Sequence, residues 1–406
     1  MLKAITLCVF GAMGLPTTAQ ASESLSDAIL NSRPIINARY RYEGVDQDGF
    51  TEYARASTLR TRVGFETQRY KGLSALLDFE NISAIGNELF NDTVNARSQF
   101  PIVADPNITE LNQAYLNFDG VFDTAVRLGR QRINLDNQRF VGAVGFRQNE
   151  QTFDAISITN QSINDTSLRY IYIDNVNRIF GDDSQVGDFK SNSHLVNVKY
   201  SGLQIGTLVG YGYFLDLENA PAFSSKTYGA RFTGRWDFNF NHDLSLLYAI
   251  EIAHQRPHAD NSNDFDHNYF LFEPGVRLRD LKIKLGYESM DGNGTNAFQT
   301  PLATLHAFNG VTDRLLVTPS NGIEDIYAKI HYAFEPVKWL EGITLSGAYH
   351  YLNFEQTSGK IGTEWSTKIA LKLTRNVSIS LEQAQYNAQS VSVDTNKTWV
   401  TLQYIF

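Results

Sequence analysis

The sequence predicts an all-β fold, a transmembrane antiparallel β-barrel of about 18 strands, and three observations lead to this class. Apolar and polar residues alternate over segments of about 9–11 residues, which is the length of a tilted membrane-spanning strand. Short and long connections alternate along the chain, and the last residue is an aromatic, Phe406. A barrel of the bacterial outer membrane accounts for all three patterns together.

The first 21 residues have the layout of a secretory signal peptide. Lys3 precedes an apolar run that is too short to span a membrane as a helix, and small residues precede a cleavage site before Ser22. The only cysteine, Cys8, lies in this segment. We therefore expect a mature chain of residues 22–406 that forms one barrel domain without disulfides. Loss of Lys3 changes the formal net charge from −9 to −10 (−9 − 1), which disfavours nucleic-acid binding.

The period-2 alternation is clear in residues 54–67, where Val63 and Phe65 share one face while Arg60 and Arg62 share the other. Comparable segments lie near 34–43, 54–67, 71–81, 109–118, 123–133, 150–160, 166–174, 192–200, 203–214, 226–236, 242–255, 267–278, 281–290, 323–334, 341–354, 362–373, 376–387 and 396–406. The count of these segments predicts about eighteen strands.

The connections indicate the orientation of the barrel. Short ones, such as Tyr70-Lys71 and Ser201-Gly202, alternate with long ones, such as 82–108, 174–191 and 291–322. Outer-membrane barrels have short periplasmic turns and long outer loops, so we expect both chain ends on the periplasmic side. A soluble β-sandwich has no reason to keep this parity. The last strand, which ends in Phe406, resembles the signal that outer-membrane assembly machinery recognises, although any amphipathic edge strand shows similar alternation.

A barrel of this size encloses water, and charged residues on its lipid face would cost about 2–4 kcal/mol each near the membrane midplane. The charged faces of the strands are therefore predicted to line the lumen. Asp78 and Glu80 are the carboxylates that we expect there on the third strand. The predicted luminal cations of the strands are Arg39, Arg41, Arg60, Arg62, Arg127, Arg169, Lys199, Arg231, Arg235, Lys282, Lys284, Lys329, Lys368 and Lys372.

The segment 129–155 mixes cations, carboxylates and apolar residues. Its charged members are Arg130, Arg132, Asp136, Arg139, Arg147, Glu150 and Asp154. The part from Asn134 to Asn149 is too apolar to extend freely into water, so we expect it to bend into the lumen, narrow it and bury Phe140 and Phe146. Arginine offers a planar fork for carboxylates. Two roles remain open. One is an ion-pair network that braces the wall and pairs Arg130 or Arg139 with Asp136, Glu150 or Asp154, and the other is direct contact with a solute.

Two stretches in this region carry a family resemblance. The run LGRQR (Leu128–Arg132), preceded by TELNQAYLNF (Thr109–Phe118), resembles the bacterial alginate-export outer-membrane family, as does FQTPLATLHAFNGVTDRLL (Phe298–Leu316). The resemblance implies an eighteen-stranded barrel that carries a polyanionic sugar through an arginine-lined pore. It also implies that Arg130 and Arg132 lie on the wall near the constriction.

Function is predicted to be selective passive diffusion or export of polar, anionic sugar-type solutes. We expect no catalysis, because the chain has no G-x-S-x-G elbow, and no cofactor or metal, because HQRPH (His254–His258) is not helical and the Asp-rich loops lack calcium-loop spacing. Expected partners are membrane lipid, lipopolysaccharide, the solute and the assembly machinery. The rival hypothesis is a structural or adhesin-type barrel that binds partners through its long loops.

Overall fold

The computed structural model describes residues 22–238 and 241–406, and the predicted signal peptide lies outside these residues. A helix α1, Leu25–Leu30, precedes the first strand, and two short 3-10 helices are Pro221–Phe223 and Leu305–Ala307. The strands are β1 Arg33–Gln47, β2 Ala54–Glu66, β3 Leu73–Ala84, β4 Ile108–Asp119, β5 Thr124–Gln131, β6 Thr152–Asn160, β7 Thr166–Asn177, β8 Asp188–Leu203, β9 Gly206–Leu215, β10 Ser225–Phe238, β11 Asn241–Pro257, β12 His267–Leu278, β13 Leu281–Met290, β14 Ile323–Phe334, β15 Gly342–Asn353, β16 Lys360–Lys372, β17 Val377–Ala388 and β18 Thr395–Ile405.

The strands form one closed antiparallel sheet. Each pairs with its neighbours in sequence, and β1 pairs with both β2 and β18, which joins the two ends of the sheet. The predicted 18-stranded barrel is confirmed. Within the described residues, no helix is both long and apolar enough to cross a membrane.

The predicted alternation of connections is also present. At one end short turns such as 204–205 and 279–280 join the strands, and both chain ends lie there, because Asn37 pairs with Ile405. At the other end lie the long segments 85–107, 132–151 and 291–322. Predicted strand ends are wrong by a few residues in places: β8 spans Asp188–Leu203 rather than 192–200. Bulges at Asp78/Phe79, Asp154/Ala155 and Ile173/Asn175 shift the register, and simple alternation cannot locate them.

Two long segments fold inside the barrel. Residues 132–151 and 291–322 meet through a parallel bridge between Val141 and Leu302. Around this bridge Phe140 packs against Tyr211, Tyr269 and Phe298, at ring-centroid distances of 5.2, 5.4 and 5.9 Å. Side chains of the wall and of both segments thus share one apolar core, which holds the outer half of the lumen in a fixed shape.

Candidate functional site

The segment 132–151, called the inserted segment below, crosses the lumen. It contacts Arg41 of β1 through the carbonyl of Phe146, Asn197 of β8 through Asp136, and Glu288 of β13 through Arg139. Since these strands lie on different sides of the barrel, the segment must pass through the interior. The inward fold predicted for residues 134–149 is therefore the observed one, with Phe140 buried and Phe146 partly buried.

Arg39 and Arg41 of β1 hold the inserted segment by its backbone. Arg39 donates to the side-chain oxygen of Gln148 at 2.8 Å, to the carbonyl of Gly145 at 3.0 Å and to the carbonyl of Arg147. Arg41 donates to the carbonyl of Phe146 at 2.5 Å and lies over its ring at 4.2 Å. These contacts correspond to the bracing role, because carbonyl groups of the segment occupy the guanidinium donors.

Arg60 and Arg62 of β2 are buried beside two carboxylates. Arg62 donates to Glu80 and lies 3.1 Å from Glu150, while the Nε of Arg60 is 3.9 Å from Glu80. Within the described residues, Arg60 Nε and Arg62 Nη2 are buried without a hydrogen-bond acceptor. An unmet donor on a buried cation favours a nearby anion.

These arginines line a chamber of about 360 Å³. Arg39, Arg60, Arg62 and Arg132 contribute cations to its lining, and Glu150 contributes a carboxylate that binds Arg132. Burial alone would raise the pKa of Glu150, but attraction from Arg132, Arg62 and Arg60 outweighs burial and lowers the pKa to about 2. The carboxylate therefore stays ionised in neutral solution and offsets part of the cationic charge.

A second ion-pair group fixes the far end of the inserted segment. Arg147 lies 3.0 Å from Glu43 of β1 and 2.6 Å from Asp313 of segment 291–322, and Lys397 of β18 lies 3.3 Å from the same Asp313. His306 contacts Asp313 at 2.8 Å. Burial acts to raise the pKa of Asp313, but His306, Lys397 and Arg147 hold it well below its usual range. This group joins both inserted loops to the wall.

Arg139 is buried between the inserted segment and the wall strand β13. Its Nε lies 2.8 Å from Glu288, it donates to Asn309 at 3.0 Å, and its guanidinium lies 4.7 Å from the ring centroid of Phe308. The bracing hypothesis paired Arg130 or Arg139 with Asp136, Glu150 or Asp154; Arg130 does pair with Asp154, at 2.8 Å, whereas Arg139 pairs with Glu288 instead. Glu288 was not singled out, although its place on the polar face of β13 was a usable signal.

The other residues predicted to line the pore lie at separate places around the wall, each with its own partner. Arg127 lies over the ring of Tyr115 at 4.2 Å, Arg169 donates to Ser157 at 3.3 Å, and Arg231 pairs with Glu251. Arg235 pairs with Asp237 at 2.6 Å near the periplasmic turns. Asp136 accepts from Asn197 at 3.0 Å. None of these residues borders the chamber, so the structure does not gather all predicted residues into one site.

Arg130 and Asp154 are placed differently from the prediction. Arg130 lies two residues from Leu128 and therefore shares its face, and Leu128 is 54 % exposed on the lipid side. Asp154 shares a face with the exposed Ile156 in the same way. The two residues are direct partners across β5 and β6 and form an ion pair at 2.8 Å. The pore-lining position expected for Arg130 and Asp154 is therefore wrong, because alternation within β5 and β6 places both side chains on the outward face, while Arg132, beyond the end of β5, lines the chamber.

Exposed lysines line another part of the wall. Lys282 and Lys284 of β13 are paired in register with His331 and Lys329 of β14. Lys284 and Lys368 have carboxylate partners, Glu273 and Glu382, at 2.7 and 2.8 Å. Lys329 lies over the ring of Tyr327 at 4.5 Å. Across the described part of the chain, neither Lys282 nor Lys329 forms an ion pair with a carboxylate, so both leave positive charge facing the lumen.

The site offers no arrangement typical of a metal centre. Within residues 22–238 and 241–406, no group of three or more His, Cys, Asp or Glu side chains is placed to hold an ion. The buried carboxylates are instead bound to arginine, lysine or asparagine.

Comparisons with known proteins agree with this geometry. The family model for alginate export matches residues 36–370. Among solved structures, Pseudomonas aeruginosa OpdO is similar over 94 % of this chain and 98 % of its own, with a TM-score of 0.71 and 14 % identity. P. aeruginosa OpdK, solved with vanillate, covers 93 % and 99 % with a TM-score of 0.70 and 14 % identity. Acinetobacter baumannii OccAB4 covers 92 % and 97 % at a TM-score of 0.70 and 12 % identity.

No curated protein sequence matches the chain significantly. The distant structural relatives share the fold, whereas the family model spans most of the barrel, from β1 into β16. The chain belongs to the alginate export family of bacterial outer-membrane β-barrel channels.

Proposed function

We propose that the protein is a passive channel that prefers anions and carries anionic sugar-type solutes across the outer membrane. The carrying observation is the chamber between the inserted segment and β1–β2, which is lined by four arginines and one carboxylate. Arg132 is the most exposed of these cations, with 37 % of its side chain exposed, whereas Arg39, Arg60 and Arg62 are almost fully buried. A carboxylate group of a uronate-type sugar has the chemistry to accept a hydrogen bond from Arg132.

The lysines that face the lumen support the same preference for anions. They are called the lysine wall below and are Lys282, Lys284, Lys329, Lys368 and Lys372 of β13, β14 and β16. Lys282 and Lys329 form no ion pair with a carboxylate of the described residues, and His331 and Arg277 lie beside Lys282. Clustered charge between low-dielectric walls concentrates counter-ions in a narrow lumen. An anion that enters from the periplasmic end therefore meets positive charge before it reaches the constriction.

The test is the reversal potential of the purified protein in planar bilayers under a KCl gradient. We expect chloride to be preferred over potassium in the wild type. The preference should fall in Lys282→Ala/Lys329→Ala and in Arg60→Ala/Arg62→Ala, with Arg279→Ala, an exposed periplasmic turn residue paired with Asp243, as the matched control. Potassium preference in the wild type would contradict the proposal and would assign permeation to the luminal carboxylates.

Solute class is tested by current block. Uronate oligosaccharides should reduce the chloride current at lower concentration than neutral oligosaccharides of equal length, and Arg132→Ala should weaken the block. Equal block by both sugars would remove the anionic-sugar assignment while leaving the channel itself intact. The absence of stable conductance steps would instead favour the structural or adhesin-type barrel.

A further inference from the structure

The outer surface of the barrel carries a row of in-register polar and aromatic residues across β8 to β11. His194 pairs with Phe214, Phe214 with Lys226, and Lys226 with Arg256. Direct partners in a sheet project to the same side with Cβ atoms about 4.5–5.5 Å apart. These four residues, called the rim row below, therefore lie next to one another on one face.

That face is the lipid side. Tyr228 on β10 shares the face of Lys226 and lies two residues closer to the periplasm, and it is 47 % exposed. Ile252 on β11 shares the face of Arg256 and lies four residues closer to the periplasm, and it is 57 % exposed. The intervening Thr227 and Gln255 are buried on the luminal side, where Gln255 donates to the carbonyl of Gln299 in segment 291–322. Lys226 and Arg256 thus point outward, directly above an apolar and aromatic belt.

The level of the rim row matches the headgroups of the outer leaflet. Lys226 is the second residue of β10 and Arg256 the second-last residue of β11, both at the end of the barrel that carries the long loops. That end faces the cell exterior in outer-membrane barrels, and aromatic girdles mark the interface there. Tyr228 and Phe214, whose rings lie 5.4 Å apart, form such a girdle beside Lys226.

The charges of the row are only partly cancelled. Arg256 binds Asp266 at 2.6 Å, and His254 lies 3.2 Å from the same carboxylate. The side-chain ammonium of Lys226 makes no hydrogen bond or ion pair with any described residue. Like charges directly opposite one another destabilise a sheet, so an anion between Lys226 and Arg256 would remove a repulsion as well as add contacts.

The opposite rim has the reverse character. On β14 the outward residue Glu324 accepts from Tyr287 of β13 at 2.6 Å, and Glu355 lies in the neighbouring loop after β15. An anionic headgroup would meet repulsion there. The outer rim is therefore not uniformly cationic, and Lys226 and Arg256 differ from its other described cations in being direct partners across β10 and β11.

We propose that Lys226 and Arg256 bind a phosphate group of lipopolysaccharide in the outer leaflet, with Tyr228 and Ile252 packed against its acyl chains. The ammonium of Lys226 and the free donors of Arg256 contact the phosphate oxygens. The apolar belt below them continues directly into the hydrocarbon layer. This inference does not depend on the solute that the lumen carries.

The experiment measures lipid bound to the full-length purified barrel by native mass spectrometry, with diphosphoryl lipid A as the probe. We expect Lys226→Gln/Arg256→Gln to weaken binding roughly tenfold, as the loss of a charge-assisted contact predicts. Lys360→Gln is the matched control, because Lys360 lies over the outward ring of Tyr351 at 4.8 Å, away from the rim row. Heat-modifiable migration on gels verifies that each variant is folded.

Two further arms separate the possible sources of binding. Lipid A from which both phosphates have been removed should bind the wild type and the double variant equally, and inorganic phosphate at millimolar concentration should not compete with intact lipid A. Equal binding of intact lipid A to the wild type and the double variant would overturn the proposal. Full competition by inorganic phosphate would overturn the lipid assignment, because it would show a simple anion site.

Discussion

Two parts of the luminal wall carry positive charge in different ways. On β1 and β2, Arg39, Arg41, Arg60 and Arg62 are between 2 and 5 % exposed, and the inserted segment covers them. On β13 and β16, the side chains of Lys284, Lys368 and Lys372 are 37 to 39 % exposed. These four arginines, called the arginine wall below, are packed against protein, whereas the side chains of the lysine wall are partly exposed to water.

This difference assigns different tasks to the two walls. Buried arginines need acceptors, and the structure supplies backbone carbonyls, Glu80 and Glu150. Their main work is to hold the inserted segment across the lumen, with the chamber as the remaining space beside it. Exposed lysines cost little to keep charged, so their field is available to a passing ion.

The largest expected effect is on the free energy of unfolding, when one ion pair of the arginine wall is broken and compared with one ion pair of the lysine wall. Glu150→Ala removes the carboxylate that Arg132 and Arg62 share and leaves the buried Arg60 and Arg62 with Glu80 alone, which should lower the free energy of unfolding by about 3–5 kcal/mol. Urea unfolding in detergent micelles, followed by tryptophan fluorescence, measures the change.

Glu341→Ala is the matched control, since it breaks the pair of Glu341 with the half-exposed Lys372. That pair should contribute about 0–1 kcal/mol. Equal losses in the two variants would mean that burial of the arginine wall does not set the strength of its ion pairs, and the distinction between the walls would be wrong.

Sequence reasoning recovered the fold because alternation, connection length and the C-terminal strand all report the same architecture. It also assigned the luminal faces of β1 and β2, where no bulge intervenes between the strands. It failed at Arg130, because the expected pore position followed the family resemblance, whereas alternation from the inward Arg127 places Arg130 on the outward face of β5. One residue of error in the register reverses the face of every side chain.

Partners in the inserted loops were the other gap. Asp313 and His306 lie in segment 291–322, which has no alternation, and they meet Arg147 only because both long loops fold inward. Lys397 was not singled out either, although its place opposite the apolar face of Val400 and Leu402 on β18 was a usable signal. Contacts between two irregular segments depend on the three-dimensional path of both, which local sequence patterns do not contain.

Acid titration gives a second, smaller effect on the arginine wall. The pKa of Glu150 is lowered to about 2 from its ordinary value of 4.5, so its stabilising contribution is complete above pH 4.5 and is lost as the pH falls toward 2. The shift corresponds to about 3 kcal/mol over this range. The difference in unfolding free energy between the wild type and Glu150→Gln should therefore shrink between pH 5 and pH 2.

Equilibrium unfolding of both proteins at pH 7, 5, 4 and 3 measures this difference. Glu341→Gln, which alters the exposed pair, should show little change over the same range. A wild-type advantage over Glu150→Gln that stays constant down to pH 3 would show that the arginines do not lower the pKa of Glu150.

The smallest effect concerns salt and separates the two walls without changing the fold. At about 0.15 M salt the Debye length is about 8 Å, and at 1 M it is about 3 Å, so the field of exposed charges fades as salt increases. Lys282 and Lys329 face water, and their part of the anion preference should decrease at 1 M KCl. The buried pairs of Arg62 and Arg147 are screened much less, so the inserted segment should remain in place.

Reversal potentials at low and high mean salt, recorded with the unitary conductance, measure both properties on one channel. Relative to the wild type, Lys282→Ala/Lys329→Ala should lose selectivity mainly at low salt and converge with it at 1 M. If the two proteins differ equally at both salt concentrations, the lysines act through local contacts or through the shape of the lumen, and the assignment of the long-range field to the lysine wall fails.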